Sequence, residues 1–239
     1  MQTIIMTSDK YIQAVRPFMH LWGKYFQSDF KQDNVICGFT PPDFQLAPSF
    51  RFHSIGKFAD YPVTRWSNAL IEVMDNVADD VFMLVLEDYW LTRQADTRAI
   101  KILYDYMRQF RYVLKMDLCG DRLYALGADL NYGKVAHLDL IKSMPGSPYH
   151  MSLMAGLWSR ELLKKVIIPN ETPWDIEISG TTRVSRYDSD IVVLGTRQWP
   201  LRHTLAFRGG DSQNLLLDEL QPGDVNELRE LGFLDWINK

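Results

Sequence analysis

Short apolar runs alternate with amphipathic stretches over the first two-thirds of the chain. Thr3–Met6 has the β-type run TIIM and is closed by the polar triplet Thr7, Ser8 and Asp9. Ile12, Val15, Phe18, Met19 and Trp22 then recur near the helical period. Asn34–Phe39 reads as a second strand ended by Pro41 and Pro42, and Phe50–Ile55 as a third ended by Gly56. Trp66, Ala69, Leu70, Val73, Met74 and Val77 share one helix face, broken by Asp79 and Asp80. Val81–Leu86, VFMLVL, does not alternate, so it predicts a strand buried on both faces. A further helix places Ile100, Leu103, Met107 and Phe110 on one face. Strands and helices in this order predict an α/β fold with a mainly parallel sheet flanked by helices.

From about Tyr112 the pattern loosens. Tyr112–Leu118 and Val135–Ile141 read as strands, and Leu153–Ile168 as a helix carrying Leu157, Trp158, Glu161, Leu162 and Val166. Trp174–Ile178 and Ile191–Leu194 read as later strands. Asp224 and Glu227 suggest a capping box for a last helix ending near Ile237. No linker, repeat or low-complexity tract interrupts the chain, so one domain is expected, with a more irregular C-terminal half.

Composition narrows the function. The 239 residues carry 26 Lys and Arg against 30 Asp and Glu, and the net charge of −4 argues against a general nucleic-acid coat protein. Apolar residues make up 46% of the chain, enough to build a core. No apolar run approaches the roughly 20 residues of a membrane span, and MQTIIMTSDK lacks a secretion pattern. Cys37 and Cys119 are too few and too far apart for a disulfide framework or a thiolate zinc site, so a reducing, cytoplasmic setting is expected. The Gly-rich phosphate loop, the dinucleotide turn, the Gly-x-Ser-x-Gly elbow and the His-Glu-x-x-His helix are all missing. That disfavours ordinary ATPases, nicotinamide dehydrogenases, serine hydrolases and zincins.

Glu87 and Asp88 are the most informative pair. A buried parallel strand delivers them to its carboxyl end, where open α/β sheets bind ligands. Two acids there suit a hard cation, Mg²⁺ or Mn²⁺, which can hold a diphosphate. The plain alternative is a turn made by Asp88 beside a solvated Glu87.

The segment Arg65–Thr92, RWSNALIEVMDNVADDVFMLVLEDYWLT, resembles nucleotide-sugar glycosyltransferases of the GT-A type: a helix with a Trp-Ser pair, a buried strand, then an acid cluster. The resemblance implies a GT-A-like, Rossmann-related sheet. It also implies an Asp-x-Asp-like element at Glu87, Asp88 and Tyr89, with Asp88 on the metal and Tyr89 standing where the family has an acid. A second segment, Ser152–Thr181, resembles the acceptor side of small bacterial and phage enzymes of this type. Asp175 and Glu177 share a side if they lie on a strand, and either would deprotonate an acceptor hydroxyl; solvated surface acids are the alternative. Trp174 and His150 are candidate acceptor contacts, with packing as the alternative for His150.

An Arg-rich stretch, with Arg183, Arg186, Arg197, Arg202 and Arg208, suits phosphates. The resemblance implies a late His as metal ligand, His203, and a basic residue, Arg202 or Arg208, for the leaving diphosphate; Gly209 and Gly210 read as a lid joint or a turn. It further implies donor contacts from Thr7, Ser8, Asp9, Arg65 and Asn68, for which helix caps or a solvated helix face are the alternatives. The expectation is a sugar transferase using a nucleotide-diphosphate sugar, with residues 1–118 on the donor side and 119–239 on the acceptor side. The Arg stretch places a hydroxymethylated pyrimidine in phage DNA ahead of a surface glycan as acceptor, with Trp90, Trp174 or Trp199 available to stack on sugar or base. A metal-dependent nucleotide-sugar hydrolase and a non-catalytic binding domain are the competing classes.

Overall fold

The computed structural model describes residues 1–120, 130–144, 147–187, 190–207 and 215–238, with the backbone alone at positions 237 and 238. Its centre is a nine-stranded sheet in the order β3-β2-β1-β4-β9-β6-β10-β8-β7. The strands are β1 (Gln2–Met6), β2 (Asp33–Gly38), β3 (Phe50–Ser54), β4 (Val81–Leu86), β6 (Val113–Asp117), β7 (Leu130–Val135), β8 (Leu138–Lys142), β9 (Gly156–Ser159) and β10 (Val192–Thr196). A separate two-stranded ribbon pairs β5 (Tyr89–Leu91) with β11 (His203–Leu205). β1 runs parallel to β2 and β4, and β2 to β3. β9 lies antiparallel between β4 and β6, so β6 again points the same way as β4. The carboxyl ends of β1, β2, β4 and β6 therefore open onto one edge.

Helices cover both faces. α1 (Val15–Tyr25) and α3 (Thr97–Gln109) bury Phe18, Leu21, Trp22, Ile100, Leu103 and Met107 against one face. α2 (Trp66–Asn76), α4 (Arg160–Val166) and α5 (Pro173–Ser185) bury Leu70, Val73, Leu163, Val166 and Ile176 against the other. β4 feeds both cores: Val81, Met83 and Val85 face the first, Phe82 and Leu84 the second. The non-alternating sequence of this strand follows directly. α6 (Pro222–Glu230) packs back on α1, where Lys24 Nζ and the Tyr25 hydroxyl each lie 2.8 Å from the buried Asp224 carboxylate.

The first half follows the sequence pattern closely, apart from the added short strand β5 and α3 stopping one residue before Phe110. Four expectations for the second half are corrected. Leu153–Ile168 is not one helix: Gly156–Ser159 is a fully buried strand and only Arg160–Val166 is helical. A short run buried on both faces carries no periodicity that separates strand from helix. Trp174–Ile178 is not a strand. Pro173 occupies the first turn of α5 and Thr172 forms a reciprocal capping box with Asp175, which starts a helix. Val135–Ile141 is not one strand but the turn and second strand of the β7–β8 hairpin, with Ala136 at φ 51° in the turn. Asp224 and Glu227 do not cap the last helix: Gln221 is its N-cap residue and makes no side-chain bond, Asp224 is turned inward to Lys24 and Tyr25, and α6 ends at Glu230, followed by a 3-10 turn at Asp235–Asn238.

Candidate functional site

The edge at the carboxyl ends of β1, β2 and β4 gathers several of the expected residues. The chain leaves β1 at Thr7, whose N–H donates to the Cys37 carbonyl at 2.9 Å. The Asp9 carboxylate then takes the Thr40 N–H at 2.9 Å and its hydroxyl at 2.8 Å, tying the exit of β1 to that of β2. Neither Ser8 nor Asp9 caps a helix. The Ser8 carbonyl accepts the Tyr11 N–H at 2.9 Å, and Tyr11 is the cap residue of the short 3-10 turn Ile12–Ala14.

Beside them, Glu87 follows β4, and its N–H reaches the Met6 carbonyl at 3.3 Å. The Glu87 carbonyl accepts the indole N–H of the fully buried Trp90 at 3.0 Å. The Asp88 carbonyl accepts the Ala206 N–H at 2.8 Å, so the β5–β11 ribbon fixes the turn from both sides. The Glu87 side chain is buried and Asp88 is half-buried. Burial, then the neighbouring Asp88 charge, pushes the Glu87 carboxyl well above its usual range. Burial pushes Asp88 up to about 7, offset in part by a backbone N–H. Two adjacent acids held in a poorly hydrated turn can be relieved by a proton or by a cation.

Tyr89, in the third position of the acid element, is a core residue. Its ring stacks on His203 with centroids 4.6 Å apart, and its hydroxyl donates to the Leu153 carbonyl at 3.3 Å. Burial pushes His203 down to about 4, so the imidazole is neutral at pH 7. Its Nδ1 lies 3.3 Å from the Thr204 carbonyl oxygen. A proton on Nδ1 makes that contact a hydrogen bond and leaves Nε2 as an acceptor, buried and without a partner among the described residues. A neutral imidazole nitrogen of this kind can accept a hydrogen bond or ligate a metal. Among the described residues no group of three or more His, Cys, Asp or Glu stands ready to enclose a cation. A Mg²⁺-like ion does not need one, because one or two protein ligands completed by substrate phosphates and water are its ordinary site. Asp88 and His203 each carry a donor suited to such a site, a half-buried carboxylate and a neutral imidazole nitrogen.

The remaining expected residues are more scattered. Arg65 and Asn68 line an open groove of about 560 Å³ with Asp60, Tyr61, Ile71, Glu72 and Pro169, apart from the acid turn. The Asn68 amide oxygen accepts the Asn170 N–H at 2.7 Å. Asp175 and Glu177 lie on a helix, so they do not share a side. Asp175 is spent on its cap, where the Thr172 hydroxyl and N–H hold its carboxyl below the usual range. Thr172→Ala is expected to lower stability by about 1 kcal/mol in chemical denaturation, the loss of one N-cap, and an unchanged midpoint would show that Pro173 alone starts the helix. Glu177 is half-buried and its Oε1 accepts the Leu153 N–H at 2.7 Å. His150 is buried, while Trp174 is 53% exposed on the first turn of α5.

The Arg stretch is not one patch. Arg183 forms a two-pronged ion pair with Glu171, both contacts 2.7 Å. Arg202 lies over the Trp199 ring at 4.5 Å, and Arg186 and Arg197 are exposed on separate elements. Arg208, Gly209 and Gly210 lie outside the described residues. The sequence reading passed over Lys115 and Asp117, two charges in the otherwise apolar run VLKMDL; both are fully buried. That interruption of a strand was the available signal. Leu153 gave none, because it acts through backbone groups.

No family model and no curated protein sequence matches the chain. Solved structures do match its fold. The structure of S. aureus TarS 1-349 superposes with a TM-score of 0.51 at 11% identity, over 96% of this chain and 63% of that one. TarS 1-349 in complex with UDP gives 0.51 at 9% identity, over 99% and 64%. The crystal structure of S. aureus TarS gives 0.50 at 11% identity, over 96% and 38%. The chain thus spans less than two-thirds of these neighbours. With the strand order above, this likeness shows a GT-A-like α/β fold, as the sequence resemblance implied. No helix among the described residues is long and apolar enough to cross a membrane.

Proposed function

We propose that the protein is a nucleotide-sugar glycosyltransferase that transfers a sugar from a nucleotide-diphosphate donor to a hydroxyl acceptor. One observation carries the reading: the Glu87-Asp88 pair is held, poorly hydrated, at the carboxyl end of β4, beside the exits of β1 and β2. The fold likeness to a TarS structure in complex with UDP supports a uridine diphosphate donor. Asp88 and His203 would hold Mg²⁺ or Mn²⁺. When bound, the ion would neutralise the donor diphosphate and stabilise its charge as it leaves. Thr7, Ser8 and Asp9 frame the nucleoside side, and Arg202 adds a guanidinium for the diphosphate. In this reading residues 1–118 form most of the donor side and 119–239 the acceptor side, with β11 returning His203 to the donor.

Glu177, rather than the capped Asp175, is the proposed base. It takes the acceptor proton as the hydroxyl oxygen bonds to the anomeric carbon. The bond from that carbon to the diphosphate breaks with its electron pair leaving on oxygen, and the anomeric centre inverts. For the acceptor we favour a glycan hydroxyl over a hydroxymethylated base in duplex DNA. DNA binding rests on a basic surface that tracks phosphates, and Arg183 is already neutralised by Glu171.

The test is calorimetric titration of UDP with and without Mn²⁺, followed by UDP release from a panel of UDP-sugars. Mn²⁺-dependent binding of UDP is expected. Binding of neither UDP nor any other nucleoside diphosphate would sink the transferase reading in favour of a non-catalytic domain. Sugar release without any acceptor, undiminished by added glycans or hydroxymethylated DNA, would favour the hydrolase.

A further inference from the structure

Lys115 and Asp117 are both fully inaccessible, on β6, one sheet position from the antiparallel β9. They form an ion pair, and the Lys115 Nζ also donates to the Ser152 carbonyl at 2.7 Å while lying 5.0 Å from the centre of the Trp158 ring. Room for the lysine is kept by Gly156: a Cβ there would stand 2.7 Å from Lys115 Cε. Removing two charges from water is costly, and apolar residues of similar volume often serve stability as well or better. What an apolar pair cannot do is hold a backbone carbonyl.

The carbonyl it holds belongs to a hub. In segment 151–154, the Met151 N–H donates to the Thr181 hydroxyl at 3.0 Å and the Leu153 N–H to Glu177 at 2.7 Å. The Leu153 carbonyl takes the Tyr89 hydroxyl at 3.3 Å, and the Tyr89 ring stacks on His203. This irregular segment is thus clamped by Lys115 on one side. On the other it fixes both Glu177 and the aromatic pair beside the acid turn. We propose that the buried Lys115–Asp117 pair is a positioning device for the site: it fixes Ser152–Leu153, and through Leu153 it sets the Tyr89–His203 stack and Glu177. The proposal rests on the transferase reading for its consequence, and on the hydrogen-bond chain alone for its mechanism. Partners that orient a metal ligand typically change metal affinity about 10–100-fold when lost.

The experiment uses the double variant Lys115→Met/Asp117→Leu, which leaves no lone buried charge, and Tyr89→Phe, which removes the hydroxyl link to Leu153. Each is measured in two ways. Nitrogen-15 NMR of labelled histidines follows His203, assigned by His203→Gln, and calorimetry follows UDP with Mn²⁺. The proposal expects both folded variants to shift the His203 ring resonances and to weaken Mn²⁺-dependent UDP binding about tenfold or more. It is overturned if the His203 resonances and the UDP affinity of either folded variant match the wild type. If the double variant does not fold, the milder Asp117→Asn, which weakens the pair and keeps its shape, decides in the same way. A wild-type protein that ignores UDP and Mn²⁺ defeats the transferase reading, while the NMR arm still upholds or overturns the linkage.

Discussion

Asp88→Asn is expected to cut Mn²⁺-stimulated UDP release by about 10²–10³-fold, the scale on which losing a preorganised stabiliser of developing charge reduces turnover. The same variant is expected to stabilise the metal-free protein at alkaline pH. The Asp88 carboxyl sits at about 7 in the fold against an ordinary 3.8, so on raising the pH the unfolded chain releases its proton first. Wild-type stability from this group is complete below about pH 4 and is lost as pH rises through about 7; the buried Glu87 pulls the same way. Asparagine has nothing to ionise. The variant should therefore gain nothing at about pH 4 and on the order of 1–2 kcal/mol at about pH 8, a figure discounted because Asp88 is partly open to solvent. His203, with its lowered pKa, makes both proteins lose stability in acid, so it cancels in the difference. Thermal melts of the two proteins across pH measure this. A flat difference curve would show that the Asp88 side chain is hydrated as it is in the unfolded chain.

Glu171→Ala is expected to have the largest effect on stability, a loss of about 3–5 kcal/mol, because it strands a guanidinium that is only 18% exposed. The loop at residues 167–172 is fastened at three points. Arg183 grips Glu171 and donates from its Nε to the Val166 carbonyl at 2.7 Å. The Glu171 backbone exchanges 3.0 Å bonds with Ser67 at the start of α2. Asn170, at φ 63°, meets Asn68. Unfastening the loop frees α5 from α2. Urea denaturation is the measurement, with Glu171→Leu/Arg183→Met as its partner. The double variant should recover most of the loss, since no charge is then buried alone. A single variant within about 1 kcal/mol of wild type would mean that the loop is held without the ion pair.

The acid turn was legible because its cause is local. A strand buried on both faces is written as an unbroken apolar run, and two carboxylates at its end mark where it leaves the core. His203 and Tyr89 were visible as residues but not as a stack, since the contact forms across the β5–β11 ribbon between positions more than a hundred apart in sequence. Asp175 was misread for the opposite reason. Its capping box with Thr172 is written within four residues, and the strand reading overrode that signal.

By itself the sequence determined the α/β class, the order of elements through β6 apart from the short β5, and the placing of Glu87 and Asp88 at a strand end. All of these follow from periodicity and chain breaks within a few residues. Only the tertiary structure decided that Gly156–Ser159 inserts antiparallel between β4 and β6, that Arg183 is neutralised by Glu171, and that a buried lysine clamps the segment linking Tyr89 to Glu177. These depend on which distant groups share the dry interior. There a charge or a hydrogen-bonding atom must find a partner wherever the fold brings one, and no spacing along the chain encodes that choice.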